Sequence, residues 1–242
     1  MTQDFPTSPT PPPAVDARPA TQAETRIADF ANRLVIWIAR HWLALFNTAW
    51  GAYVILPFLA PLFMAIGWEL PARALYGIYS FTCHQLPDHS YFLLGPTPVP
   101  VESALMSAGA PDPNNLFLFR AFIGNDNIGY KVALCERDVA IYGSVLLAGL
   151  VFGILRKRGP VRAPSLKVYA LFLIPIAIDG LTQLVGLRES NWWLRTVTGA
   201  LFGAASVWLA YPYIDEAMQD VIDVESQRTT PASTSGTVPP SA

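Results

Sequence analysis

Charge is scarce in this chain. Only 14% of its 242 residues are Asp, Glu, Lys or Arg, against about 25% in an ordinary soluble domain. The net charge is -2, and no Lys/Arg cluster adjoins aromatic-rich polar sequence, so nucleic acid is not an expected partner. Cysteine occurs twice and histidine three times. Paired Cys-x-x-Cys spacing is therefore absent, and a bis-histidine haem inside a helical bundle has little support. Phosphate loop, dinucleotide fingerprint, HExxH and nucleophile elbow are all missing. So is any internal repeat, which weighs against a transporter of the inverted-repeat type.

What the chain has in quantity is apolar surface: 52% hydrophobic residues, with seven Trp, thirteen Phe and nine Tyr. The Pro/Thr-rich residues 1–23 have no signal-peptide core and predict a disordered leader. Residues 223–242 predict a disordered tail, leaving 24–222 as one membrane domain. Four runs are long and apolar enough to cross a bilayer: Trp42–Trp68, Val139–Leu155, Val168–Leu187 and Thr196–Ile214. The expected fold is an all-α integral membrane protein with four transmembrane helices. Glu24–His41, with Ile27, Ala31, Leu34 and Ile38 on one helical face, predicts an interfacial helix leading into the first span, or a stretch whose apolar end extends that span.

Loop charges orient the spans. Arg156, Lys157, Arg158, Arg162 and Lys167 follow span two, and Arg26, Arg33 and Arg40 precede span one. The positive-inside rule then puts both termini in the cytoplasm, with the cell membrane as the location. The long connection Glu69–Asp138, carrying four Lys/Arg and seven Asp/Glu, faces outward. Within it Ala72–Phe81 and Leu116–Ile123 predict short helices lying on or dipping into the bilayer. The Pro- and Gly-punctuated stretch between them, residues 95–115, reads as an exposed excursion.

Both cysteines belong to that connection and head polar clusters, Cys83-His84-Gln85 and Cys135-Glu136-Arg137-Asp138. An oxidising compartment favours a Cys83–Cys135 disulfide. The same residues also offer thiolate, imidazole and carboxylate, so Cys83, His84, Cys135 and Asp138 form a candidate zinc set. Adjacent ligands such as Cys83 and His84 cannot both point one way in regular structure. A reactive thiol, with His84 or Arg137 lowering its pKa, is the third reading. Free cysteines packed as small apolar groups are the fourth.

Asp179 stands alone in the third span, where an ionised carboxylate must be paired or protonated. Thr182 and Gln183 share its helical side, and Arg188 or Arg195 is the expected partner. Arg137 and Arg195, at the outer mouths of their spans, are the candidate catalytic residues beside Asp179; ion pairs of purely structural value are the alternative.

Three blocks, FTCHQLPDHSYFLLG at 81–95, LCERDVAIYGSVLLAG at 134–149 and PIAIDGLTQLVGLRESNWWLRTVTGALFG at 175–203, closely resemble the family catalogued as domain of unknown function 2085. The resemblance covers roughly Leu75–Ile214. It implies a bacterial or archaeal membrane protein whose signatures fall on Cys83, His84, Gln85, Cys135, Arg137, Ile141, Tyr142, Gly143, Asp179, Gly180, Thr182, Gln183, Arg195, Thr198 and Gly199. Two positions depart from the family pattern: members often have Arg at the place of His89, and many have a further Cys at the place of Asp138. The second departure weakens a Cys-x-x-Cys redox pair while leaving Asp138 able to replace a thiolate as metal ligand.

Three functions follow as expectations. One is a metal- or thiol-dependent enzyme acting on a lipid-like or quinone-like substrate. Another is a non-catalytic structural or assembly subunit of a membrane complex, braced by a disulfide. The last is a small oligomeric transporter. Membrane lipid is the common partner, and a homo-oligomer or larger membrane complex accompanies the second and third.

Overall fold

Four long helices and a three-stranded sheet account for most of the computed structural model, which describes residues 21–229. Helix α1 runs Gln22–Ala65, α5 Glu136–Leu155, α6 Leu166–Leu184 and α7 Trp192–Thr229. All four are long and apolar enough to cross a membrane. Between α1 and α5 come α2 (Glu69–Tyr79), β1 (Ser90–Leu93), α3 (Glu102–Ser107), α4 (Leu116–Ala121), β2 (Gly124–Asn125) and β3 (Gly129–Cys135).

The interfacial helix expected at Glu24–His41 is not a separate element. It is the first part of α1, opened by a capping box in which Glu24 N–H donates to Thr21 Oγ1 and Thr21 N–H donates back to Glu24 Oε2. At 1.5 Å per residue α1 is about 66 Å long, roughly twice the hydrocarbon thickness. No Pro or Gly interrupts it between Gln22 and Trp50, so the helix simply continues. Its surplus lies beside the end of α7, where Val35 and Ile36 share a groove with Val221 and Val224. Helix α7 in turn runs seven residues past the boundary expected at 222, so 223–229 are helical. The remainder of the expected tail and residues 1–20 of the expected leader lie outside the described residues.

Helix α1 stops in a Schellman motif. Trp68 N–H donates to Phe63 O at 2.8 Å and Gly67 N–H to Met64 O at 3.1 Å, with Gly67 in the left-handed region at φ 79°. The turn feeds α2 directly. The tightest helix pair is α5 against α7, and its cause is a small-xxx-small pair. A Cβ at Gly203 would collide with Ser144 Oγ and Ile141 O, and one at Gly199 would sit 3.0 Å from Arg137 O. Helix α6 packs mainly along α7 and touches α5 through Arg137, and Asp179 is its one fully buried residue.

The short helices of the connection match α2 and α4 to within a few residues. The sheet had no counterpart in the sequence reading. Its order is β1-β3-β2, antiparallel throughout, with Ser90 opposite Cys135 and Phe92 opposite Lys131. The segment read as an exposed excursion is partly core: Leu105 and Ala110 are buried with Phe92, Phe119 and Ile128. Pro and Gly there shape tight turns around α3 and do not solvate the chain.

One end of the bundle gathers the start of α1, the α5–α6 loop and the end of α7. Trp42 Nε1 donates to Asp215 Oδ1 (3.1 Å), Arg156 pairs with the same oxygen (2.9 Å), and Phe152 and Tyr211 pack edge-on to each other beside Trp42. The long connection, and with it both cysteines, lies at the other end.

Candidate functional site

Cys83 and Cys135 meet because β1 pairs with β3 and because Gln85 reverses the chain. Gln85 adopts φ 52°, an uncommon conformation for a residue with a Cβ. It is held there by its buried side chain, whose Nε2 donates to Tyr76 O (2.9 Å) and Ala133 O (3.0 Å). The reversal buries Cys83 and leaves the adjacent His84 exposed. Cys135 caps the start of α5, its N–H donating to Cys83 Sγ at 3.2 Å. Asp138, in the first turn of α5, completes a triad: Cys83 Sγ, Cys135 Sγ and an Asp138 carboxylate oxygen lie within 4.8 Å of one another. His84, the fourth expected ligand, is not among them. The adjacent Cys83 and His84 point in different directions, one buried and one exposed, and His84 lines the cavity instead.

No bond joins the two sulfurs in this structure. The hydrogen bond with Cys83, then burial and the charges of Cys83 and Asp138, push the Cys135 thiol well above its ordinary range. Cys135 is therefore not a self-activated thiolate, which needs an electropositive setting and a lowered pKa.

Beside the triad is a cavity of about 390 Å³ whose walls include Cys135, Asp138, His84, Arg137 and Arg195. Asp179 does not reach it directly. It is buried beneath, where Oδ2 accepts from Arg137 Nη2 (2.6 Å) and Oδ1 from Arg188 Nη2 (2.9 Å). The expected ion-pair partner Arg188 is thus correct. Arg195, the other expected partner, instead pairs with buried Glu136 at 3.3 Å. Arg137 Nη2 also donates to Gln183 Oε1 (3.2 Å). That bond turns the Gln183 amide NH₂ toward His89 Nε2, 3.3 Å away, while His89 Nδ1 sits 2.7 Å from Asp88 Oδ1. The mutually consistent assignment has Nδ1–H donating to Asp88 and Nε2 accepting from Gln183. A chain of polar contacts therefore runs Asp88, His89, Gln183, Arg137, Asp179, Arg188, tying the connection to α5 and α6. Three buried polar atoms near it, Glu136 Oε1, Arg137 Nε and Arg195 Nε, have no hydrogen-bond partner among the described residues. Unsatisfied groups of this kind at a cavity mark a place where water or a ligand completes the set.

Of the expected catalytic residues, the structure brings Arg137 and Arg195 to the cavity wall and sets Asp179 behind Arg137. Tyr142, singled out by resemblance, stacks on Trp50 (5.3 Å between centroids) and packs edge-on to Tyr53; it joins α5 to α1 and lies outside the cavity wall. The residue that the sequence reading missed is Lys131. It is fully buried, with Nζ donating to Gln85 O (2.7 Å) and Arg120 O (2.5 Å), and burial followed by the Arg120 charge lowers its pKa to about 7. It holds the carbonyl of Gln85, hence the reversal that places Cys83. Gly129–Cys135 shows no apolar/polar alternation, so no local pattern marks Lys131 as a buried strand residue.

The model for predicted membrane proteins of the DUF2085 family matches residues 120–209. An uncharacterised protein of Methanocaldococcus jannaschii is 30% identical over 164 residues, covering 66% of this chain and 83% of that relative. The chain belongs to the DUF2085 family. It is a membrane protein with four candidate spanning helices. The matched region holds β3, all of α5 and α6, and α7 as far as residue 209, so it includes Cys135, Arg137, Asp138, Asp179 and Arg195. Cys83 lies outside that region. No solved structure matches the chain.

Proposed function

We propose that this DUF2085 protein is a metal-dependent membrane enzyme, with a zinc-class ion held by Cys83, Cys135 and Asp138 and a lipid-like substrate entering the adjoining cavity. The observation that carries the proposal is the S, S, O triad within 4.8 Å at the wall of a cavity with further polar groups. Zinc takes thiolate at about 2.3 Å and carboxylate at about 2.0–2.2 Å, which spaces tetrahedral ligands about 3.3–3.8 Å apart. A small closure of the triad meets that spacing. Three protein ligands with one open position is the pattern of a catalytic site, where the ion activates water or polarises a carbonyl or phosphoryl oxygen.

Charge supports the same reading. Two thiolates and a carboxylate around a divalent ion leave one negative charge, and Arg137 and Arg195 stand at the same cavity to balance it and to hold an anionic group. A metal also supplies what Cys135 lacks alone, a reason to lose its proton. His84 supplies an imidazole at the cavity wall for proton transfer. The basic α5–α6 loop favours the cytoplasm for the end of the bundle that carries the termini. The cavity then opens on the outer face of the cell membrane.

Metal analysis of protein purified without chelator tests this reading. The expected result is one zinc per chain, both thiols protected from alkylation until the metal is removed, and loss of zinc in Cys83→Ser. A second reading, a structural bridge in a non-catalytic subunit, is favoured by the approach of the two sulfurs. It is the outcome if the purified protein has no metal and a Cys83–Cys135 disulfide whose removal lowers stability alone.

A further inference from the structure

A second cavity, also about 390 Å³, lies between α2 and α4, away from the cysteine triad. Helix α2 is apolar on two opposite faces. Ala72, Tyr76 and Tyr79 are buried in the core on one. On the other, Leu70 and Ile78 are exposed, and Phe81, just past the helix end on the same stripe, is 91% exposed. Helix α4 likewise presents Phe117 at 84% exposure, between exposed Leu116 and Leu118. Because α2 follows the turn that ends the spanning helix α1, these side chains stand at the level where the chain leaves the hydrocarbon.

Three cations from three elements line the cavity between the stripes: Arg73 of α2, Arg120 of α4 and Lys131 of β3. Arg73 has a carboxylate partner, Glu69 at 3.3 Å, in a solvent-exposed i,i+4 pair of the weakly held kind. Arg120 donates to Ser80 O (3.2 Å). Lys131 uses two of its three ammonium N–H groups on carbonyls. Among the described residues neither Arg120 nor Lys131 has a carboxylate within 4.0 Å. Excess positive charge walled by exposed apolar side chains matches one chemical class, an amphiphile with an anionic head.

We infer that this cavity binds the phosphate headgroup of an anionic phospholipid, gripped by Arg73 and Arg120, with acyl chains lying along Leu70, Ile78, Phe81 and Phe117. The site uses none of the proposed metal ligands, although Gln85 lines both cavities. It anchors the α2–α4 layer to the bilayer surface and thereby the wall from which Gln85 and Lys131 position Cys83.

Native mass spectrometry of the detergent-solubilised full chain, offered equal phosphatidylglycerol and phosphatidylcholine, tests it. The expected result is preferential retention of one phosphatidylglycerol, weakened at least tenfold in Arg73→Gln/Arg120→Gln and unchanged in Arg158→Gln at the other end of the bundle. Arg73→Gln alone, an exposed change, keeps the test readable if Arg120→Gln harms folding; it is expected to weaken retention several-fold. Millimolar inorganic phosphate should not displace the lipid. Equal retention of the two lipids, or wild-type retention in the arginine variants, overturns the inference. So does displacement by free phosphate, which marks a phosphate site without lipid, or a lipid-free dimer that covers Phe81 and Phe117.

Discussion

The two ends of the bundle are built on opposite plans. At the end that carries the termini, Trp42, Phe152 and Tyr211 pack ring against ring around the Arg156–Asp215 pair. Polar groups there serve packing. At the other end a sheet and a reversed chain hold thiols, carboxylates and guanidinium groups around open volume. The atoms without partners among the described residues there include those of charged groups, Glu136 Oε1, Arg137 Nε and Arg195 Nε, where the first end leaves the neutral Asn47 Oδ1 and Tyr211 hydroxyl. Aromatic packing contributes stability without any specific chemistry. Keeping charges buried beside a cavity costs desolvation energy that is recovered only when every member is paired or a ligand completes the set. The contrast is the reason the proposed site is placed at the end with the long connection.

Substitutions at the two ends should separate these plans. The largest effect is expected from Glu136→Ala, which leaves the buried Arg195 guanidinium unpaired. Loss of about 3–5 kcal/mol should appear as a large fall in the denaturant midpoint of the detergent-solubilised protein.

The next effect depends on pH. Lys131 titrates at about 7 in the fold and at 10.5 when free, so between those values the unfolded chain binds a proton that the native chain does not. Stability therefore rises with pH above 7. In metal-free protein Cys135 acts the other way, because its raised folded pKa means that stability is lost once pH passes its ordinary value of 9.0. The net rise should be confined to roughly pH 7–9 and amount to about 2–3 kcal/mol. Chemical denaturation across that range checks it, and Lys131→Met should flatten the slope.

Asp179→Asn removes the charge shared by Arg137 and Arg188. A loss of about 2 kcal/mol is expected, with zinc retained, since Asp179 lies behind the cavity wall. At the opposite end Trp42→Phe deletes one hydrogen bond to Asp215 and one ring of a buried indole. It should cost about 2 kcal/mol and leave metal content unchanged. A Trp42→Phe protein that loses zinc would erase the distinction between the ends.

Much of the spanning architecture was legible, because the bilayer imposes a length and an apolarity that a single sequence displays. Val139–Leu155 and Val168–Leu187 fall within three residues of α5 and α6 at each end. The helix ends of α1 and α7 were not, since beyond the hydrocarbon the polarity of the sequence no longer separates helix from loop. Asp179 had to be paired, and it is. Its sharing between Arg137 and Arg188 depends on how α5 meets α6, which no local pattern encodes. The β1–β3 pairing spans some forty residues of turns and short helices, so Ser90 opposite Cys135 was invisible, and with it the burial of Lys131. His84 stands outside the group of Cys83, Cys135 and Asp138 for a local reason: as the neighbour of buried Cys83 it is exposed and turned the other way.

The central claim is that Cys83, Cys135 and Asp138 form a metal centre with an open position. X-ray absorption at the zinc edge of the purified protein tests it most directly. The account predicts two sulfur neighbours at about 2.3 Å and two oxygen neighbours at about 2.0–2.2 Å, one from Asp138 and one from water, with the zinc-edge signal itself lost in Cys83→Ser. A metal-free protein in which Cys83 and Cys135 are joined, or a bound ion with no sulfur neighbour, would contradict it.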